Sequence, residues 1–201
     1  MTSNKFVLAI SGSTCSGKTT LAKMLHKLLK LELPMISQDS FWCGIDKVPL
    51  TKTKRGVYKN CECPENILWK PFYDCIYDYK FKKKSSDPLV LVEGFLLFEE
   101  PKVTQLYDRA LYIQTPMDLA WKRRVQRNID IPTDYFFEKD LVGKKEWLRE
   151  YWEEIIIPES QKNIGHKRFK NCHIVDGSGT PEHTLKHALS ALIMNKGLEK
   201  K

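Results

Sequence analysis

Gly12-Ser13-Thr14-Cys15-Ser16-Gly17-Lys18-Thr19, followed by Thr20, fits the pattern G-x-x-x-x-G-K-[ST]. Glycines at both ends let the backbone curl, so that successive N–H groups point inward at phosphate oxygens. A helix starting there aims the positive end of its dipole at the same place. Lys18 can reach the outer phosphates of a nucleotide, and the Thr19 hydroxyl can bind Mg²⁺. A glycine-rich turn can produce such a pattern by chance, so its surroundings decide. Phe6–Ile10 upstream is a short β-rich apolar run, while Leu21, Met24, Leu25, Leu28 and Leu29 downstream recur at the spacing of one helix face.

A phosphate cradle does not by itself say what becomes of the phosphate. Moving a γ-phosphoryl group to a hydroxyl needs carboxylates, one to help hold the metal and one to orient or deprotonate the acceptor. In parallel α/β sheets such groups stand at the carboxyl ends of strands. Two fit: Asp39, in Ile36-Ser37-Gln38-Asp39-Ser40-Phe41, and Glu93, which closes the apolar run Leu89–Val92. An Asp at such a place can also serve a turn. A carboxylate ending an all-apolar strand is costly unless a cation or donors lie nearby, which strengthens the functional reading of Glu93. Asp39, Glu93 and Lys18 are therefore the catalytic candidates, with Thr19 and Asp39 the metal candidates.

Arg123, Arg124 and Arg127 stand at helical spacing just before a Pro- and aromatic-containing stretch, residues 129–140. A solvated basic face competes with a second reading, in which guanidinium forks pair with phosphate oxygens and residues 123–140 form a lid that excludes water. The chain has no N-K-x-D guanine-reading motif, and a nucleic-acid motor would need more chain than 201 residues. What remains is a small-molecule or nucleotide kinase.

The elements that must position these groups alternate. Strands are expected at Phe6–Ile10, Met35–Ser37, Leu89–Val92, Ala110–Ile113 and His173–Val175. Helices are expected at Lys18–Leu29, Asn66–Phe81 with a break near Pro71, 117–127 behind the Thr115-Pro116 cap, Lys144–Ile157, and a last one to about Asn195 behind Thr180-Pro181-Glu182. Residues 41–63 show no periodicity, and a loop that long is usually functional. Strand–helix alternation predicts an α/β fold, a parallel sheet of about five strands covered by helices on both faces. The length suits one domain with a small lid.

No apolar run approaches the roughly 20 residues that cross a bilayer, and Met1–Ile10 reads as a first strand rather than a secretion signal. The six cysteines read as free thiols of a reducing, cytoplasmic compartment, and Cys61-Glu62-Cys63 is too tight for a zinc pair. The net charge of +8 suits an anionic small ligand or a nucleic acid. Asp39 and Glu93 argue against nucleic acid, since pocket carboxylates repel a polyanion without metal. Lys80 to Lys84 reads as a charged loop.

Taken together, these residues resemble the uridine-kinase-like branch of P-loop kinases, most closely the nicotinamide riboside kinases. The resemblance rests on Ile10 through Lys23, on Ile36-Ser37-Gln38-Asp39 with Phe41, on Glu93-Gly94-Phe95-Leu96-Leu97-Phe98, on Lys122-Arg123-Arg124 with Arg127, and on Val175-Asp176-Gly177. It implies a monomer that takes a nucleoside and Mg-ATP. Residues Gly12–Thr20, Arg123 and Arg127 would hold ATP. Asp39 would be the proton acceptor and a Mg²⁺/ribose contact, Glu93 would lie beside the reacting phosphate, and Ser178–Thr180 near adenine. Asp39, Phe41, Glu62 and Arg124 would touch the acceptor. Two stacking aromatics of the family are replaced by Cys61 and Ile129; Trp42, Tyr135 or Phe136 are possible substitutes. The acceptor base stays open between nicotinamide and a pyrimidine.

Overall fold

The computed structural model describes residues 4–130, 141–163 and 165–194. The latter part of the expected lid, 131–140, with Tyr135 and Phe136, lies outside them, and so does the side chain of Ile129. The first strand, β1 (Phe6–Gly12), runs into the glycine loop and α1 (Lys18–Leu28). β2 (Ile36–Ser37) leads to a 3₁₀ turn at Gln38–Phe41. A hairpin follows, β3 (Leu50–Lys52) with β4 (Val57–Lys59), and then α2 (Trp69–Phe81). β5 (Leu89–Glu93), a short α3 (Pro101–Thr104), β6 (Arg109–Gln114) and α4 (Met117–Asp130) come next. The chain continues through α5 (Leu141–Tyr151), a π turn at Trp152–Ile156 and α6 (Ile157–Lys162) to β7 (Cys172–Asp176) and α7 (Pro181–Met194).

The expected α/β fold is present. Five strands form one parallel sheet in the order β2-β5-β1-β6-β7. β1 is central, paired with β5 on one side and β6 on the other. The order reverses around it, which opens a crevice at the carboxyl end of β1. Alternation along β1 sorts the two faces. Val7 and Ala9 join Phe72, Ile76, Val90, Val92 and Val103 under α2 and α3. Leu8 and Ile10 join Leu21, Leu25, Leu111, Ile113 and Ala188 under α1 and α7. A third cluster of Tyr58, Ala120, Tyr151, Trp152, Ile155 and Ile156 ties the hairpin to α4 and the α5–α6 segment.

Three expectations change. Residues 41–63 contain the β3–β4 hairpin; its three-residue strands are too short to show a period. Pro71 does not break α2, because it falls in the first turn, where the missing N–H has no helical acceptor to lose. Lys80 is not in a charged loop: α2 carries it inward, where its side chain is 11% exposed and its ammonium pairs with Asp108 at 2.9 Å. The same Nζ donates to the Leu106 carbonyl at 2.8 Å. All six cysteines are free. No helix among the described residues is long and apolar enough to cross a membrane.

Candidate active site

The glycine loop is shaped by backbone rather than side chains. A Cβ on Gly12 would stand 2.5 Å from the Ile113 carbonyl oxygen, so only glycine lets β1 leave the sheet so close to β6. Cys15 at φ 56 and Gly17 at φ 98 take left-handed conformations and reverse the chain into α1. Leu21 N–H is bonded to Gly17 O at 2.9 Å, so the N–H groups of the preceding first turn open toward the loop. The Lys18 ammonium folds back onto the Ser13 carbonyl at 2.8 Å. Burial pulls its pKa down, against the opposing fields of Glu93 and Asp39.

Around this loop lies a cleft of about 480 Å³. The continuous run Thr14–Leu21 forms its floor, with Asp39 and Glu93 from the ends of β2 and β5 and Phe95 beyond. Cys61 and Glu62 come from the loop after the hairpin, and Arg123, Arg124 and Arg127 from α4. Gly179, Pro181 and Thr184 close the far end at the start of α7. Four elements distant in sequence thus bring the carboxylate and arginine candidates to one opening.

Glu93, buried at 2% exposure, has the donors that its apolar strand lacked. It accepts the Thr19 hydroxyl at 3.0 Å and the Ser37 hydroxyl at 2.5 Å. The partner Ser37 had no assigned role in the sequence, since nothing local couples it to a residue 56 positions away. Thr19 gives its one proton to Glu93, which leaves the oxygen lone pairs as the part that can face a cation. Together with the Asp39 carboxylate these are hard oxygen ligands of the kind Mg²⁺ takes, one or two from protein and the rest from phosphates and water. Among the described residues, no group of three or more His, Cys, Asp or Glu could hold a metal ion.

The arginines carry the opposite charge. Arg124 donates to the Thr14 hydroxyl at 3.2 Å and Arg123 to the Gly179 carbonyl at 3.2 Å. The Nε of Arg124 is buried without a partner, as are the hydroxyls of Ser11 and Ser16. A buried guanidinium nitrogen without an acceptor is costly, and an anionic oxygen would relieve it. Burial pushes the Glu62 carboxyl up, while Arg124 and Lys18 hold it down.

Two acceptor-side expectations need correction. Phe41 is not among the cleft-lining residues; its ring packs on Phe72 with centroids 5.2 Å apart. The reason is the 3₁₀ turn: at about 120° per residue, the two steps from Asp39 to Phe41 leave their side chains about 120° apart around the turn axis. Trp42 bridges to Ile67 and also lies outside the lining. Of the Ser178–Thr180 turn, Gly179 lines the cleft. Gly12 and Ser13 underlie the loop, with Ser13 on a smaller adjoining cavity of about 20 Å³.

No protein-family model matches the chain. Its homologues are uridine kinases, at low identity. A uridine kinase of Mycoplasma genitalium is 30% identical over 145 residues, which is 61% of this chain and 66% of that protein. One from Clostridium botulinum is 29% identical over 142 residues, 62% of this chain and 69% of that protein. A chloroplastic uridine/cytidine kinase of Arabidopsis thaliana is 26% identical over 142 residues, 61% of this chain, and the match spans only 29% of the plant protein's length. The fold is that of P-loop kinases. A gluconokinase of Sinorhizobium meliloti superposes with TM-score 0.55 at 15% identity, over 100% of both chains. Shikimate kinase of Aquifex aeolicus does so with TM-score 0.51 at 16% identity, over 95% of this chain and 98% of that one.

Proposed function

We propose that this protein transfers the γ-phosphoryl group of ATP to the 5′-hydroxyl of a ribonucleoside. The observation that carries this reading is the meeting of the glycine loop, Asp39 and the three α4 arginines in a single cleft. The loop amides and Lys18 hold the β- and γ-phosphates, and Arg123, Arg124 and Arg127 neutralise charge on the transferring group. Asp39 takes the proton of the acceptor hydroxyl. The new O5′–Pγ bond forms as the bond from Pγ to the bridging oxygen breaks, and ADP leaves with the electron pair. Thr19 and Asp39 would hold Mg²⁺, which would supply charge neutralisation at the phosphates. Glu62 grips the ribose hydroxyls beside the loop.

Separate observations point to two acceptors. The uridine kinase homologues favour uridine or cytidine. The run Glu93-Gly94-Phe95-Leu96-Leu97-Phe98 favours nicotinamide riboside, giving nicotinamide mononucleotide. Steady-state rates with Mg-ATP on nicotinamide riboside, uridine, cytidine and adenosine decide between them. A preference of tenfold or more in kcat/KM for one of the first three is expected. Failure to phosphorylate any nucleoside would refute the reading and favour a non-catalytic nucleotide-binding role.

The Glu93–Thr19 contact makes a further prediction. Glu93→Gln puts an amide donor where the hydroxyl proton now goes and turns the Thr19 oxygen away from the metal. The Mg²⁺ concentration for half-maximal rate should rise about 10-fold or more, in line with losses seen for groups that orient metal ligands. A magnesium titration unchanged from wild type would remove Glu93 from this role.

A further inference from the structure

The two cleft residues of the loop after β4, Cys61 and Glu62, are held from behind by side chains that do not line the cleft. Asn60 is 4% exposed, and both its amide oxygen and its amide nitrogen are bonded. Its Oδ1 accepts the Glu62 N–H at 3.1 Å. Its Nδ2 donates to Glu159 at 3.0 Å and to the Thr51 hydroxyl at 3.2 Å. The Asn60 carbonyl accepts from the Asn66 side chain at 2.8 Å. The Cys61 N–H donates to the Tyr151 hydroxyl at 2.9 Å, across 90 residues of sequence.

The holders are themselves fixed. Tyr151 stacks on Trp147 with centroids 4.9 Å apart and planes 12° from parallel. Burial pushes its phenol up, so it stays neutral. Glu159 is tied to Lys162 at 2.9 Å. Tyr151 and Glu159 are eight residues apart, and in a straight α-helix such positions are rotated by about 80° from each other. The π turn at Trp152–Ile156 lies between them and takes up rotation, and both side chains are buried toward the loop. Both bonds to the cleft loop, from Asn60 and from Tyr151, are thus made by side chains that are themselves fixed by further buried contacts, which stiffens the loop.

Building on the nucleoside-kinase reading, we propose that Asn60 and Tyr151 are positioning residues that set the Glu62 carboxylate for the acceptor. Nucleoside affinity then depends on two hydrogen bonds outside the cleft, while ATP affinity and the transfer step do not. Neither residue reaches the substrate; each acts through the backbone N–H of the cleft loop.

Tyr151→Phe keeps the stacked ring and removes only the hydroxyl. It should raise KM for the preferred nucleoside about 3–10-fold, the range of one hydrogen bond, with kcat and KM for ATP within about twofold. Asn60→Asp sets a second carboxylate against Glu159 and should raise the nucleoside KM further. Adding Glu159→Gln restores the bond with donor and acceptor exchanged and should bring KM back. In a Glu62→Gln background, the nucleoside Kd measured by calorimetry with a non-hydrolysable ATP analogue should not change further on adding Tyr151→Phe.

An equal rise in KM for ATP would overturn the proposal, since it would mean general loosening. So would a wild-type nucleoside KM for Tyr151→Phe, or the same fold-change with and without Glu62. A wild-type protein that phosphorylates no nucleoside would instead remove the underlying reading, and is seen before any substitution is made.

Discussion

Lys18→Ala should lower kcat about 10³-fold or more while the protein remains folded. The magnitude follows from charge. A unit charge about 4 Å from a phosphate oxygen, at an effective dielectric near 20, contributes about 4 kcal/mol. That is close to three powers of ten in rate when the charge on the phosphates grows in the transition state. The fold should survive because, among the described residues, the ammonium's one hydrogen bond is to the Ser13 carbonyl, and burial pulls its pKa down. Thermal unfolding should therefore change little, or even move upward. Turnover within tenfold of wild type would show that the phosphates sit elsewhere.

Asp39→Asn should reduce kcat about 10²–10⁴-fold, the usual range for a lost general base, with KM for ATP nearly unchanged. Asp39 is exposed on a 3₁₀ turn at the carboxyl end of β2 and lines the cleft together with Lys18 and Glu93. The amide keeps the shape and can still accept a hydrogen bond, but it cannot take the hydroxyl proton. Raising Mg²⁺ separates the two roles proposed for this carboxylate. If the loss is mainly of metal binding, excess Mg²⁺ restores the rate; if it is of proton acceptance, it does not. Wild-type kcat in Asp39→Asn would end its assignment to the chemistry. Glu62, whose carboxyl burial pushes up, takes a proton at a higher pH than a free glutamate. Acceptor affinity should accordingly weaken on the acid side as Glu62 becomes neutral, and Glu62→Gln should flatten that limb.

Where local chemistry is strong, sequence and structure agree closely. The loop Gly12–Thr19 was legible because its glycines answer to backbone conformations that few other residues take: φ 153 against the Ile113 carbonyl, and φ 98 at the start of α1. Glu93 was legible because a carboxylate at the end of an apolar strand is physically expensive. The strands β1, β5 and β6 showed as continuous apolar runs because the sheet buries them on both faces. The hairpin was invisible, since three residues a side carry no period, and so was the widened turn at Trp152–Ile156, whose residues are good helix formers by pattern.

Phe41 marks the limit on the other side. The family resemblance placed it against the acceptor with Asp39, but a tight turn sends nearby side chains in different directions, and the ring went to Phe72. Ser37 with Glu93, Asn60 with Glu159 and Tyr151 with Cys61 are separated by 56, 99 and 90 residues. Periodicity, capping and glycine conformation are local and are written in consecutive residues, so the phosphate loop, the strand–helix order and the charged candidates could be read directly. Which distant side chains meet, and therefore what stands behind Glu62 and Glu93, depended on how the sheet order and the α5–α6 segment folded the chain back on itself. Those contacts are set by packing across long loops, and no short stretch of sequence encodes them.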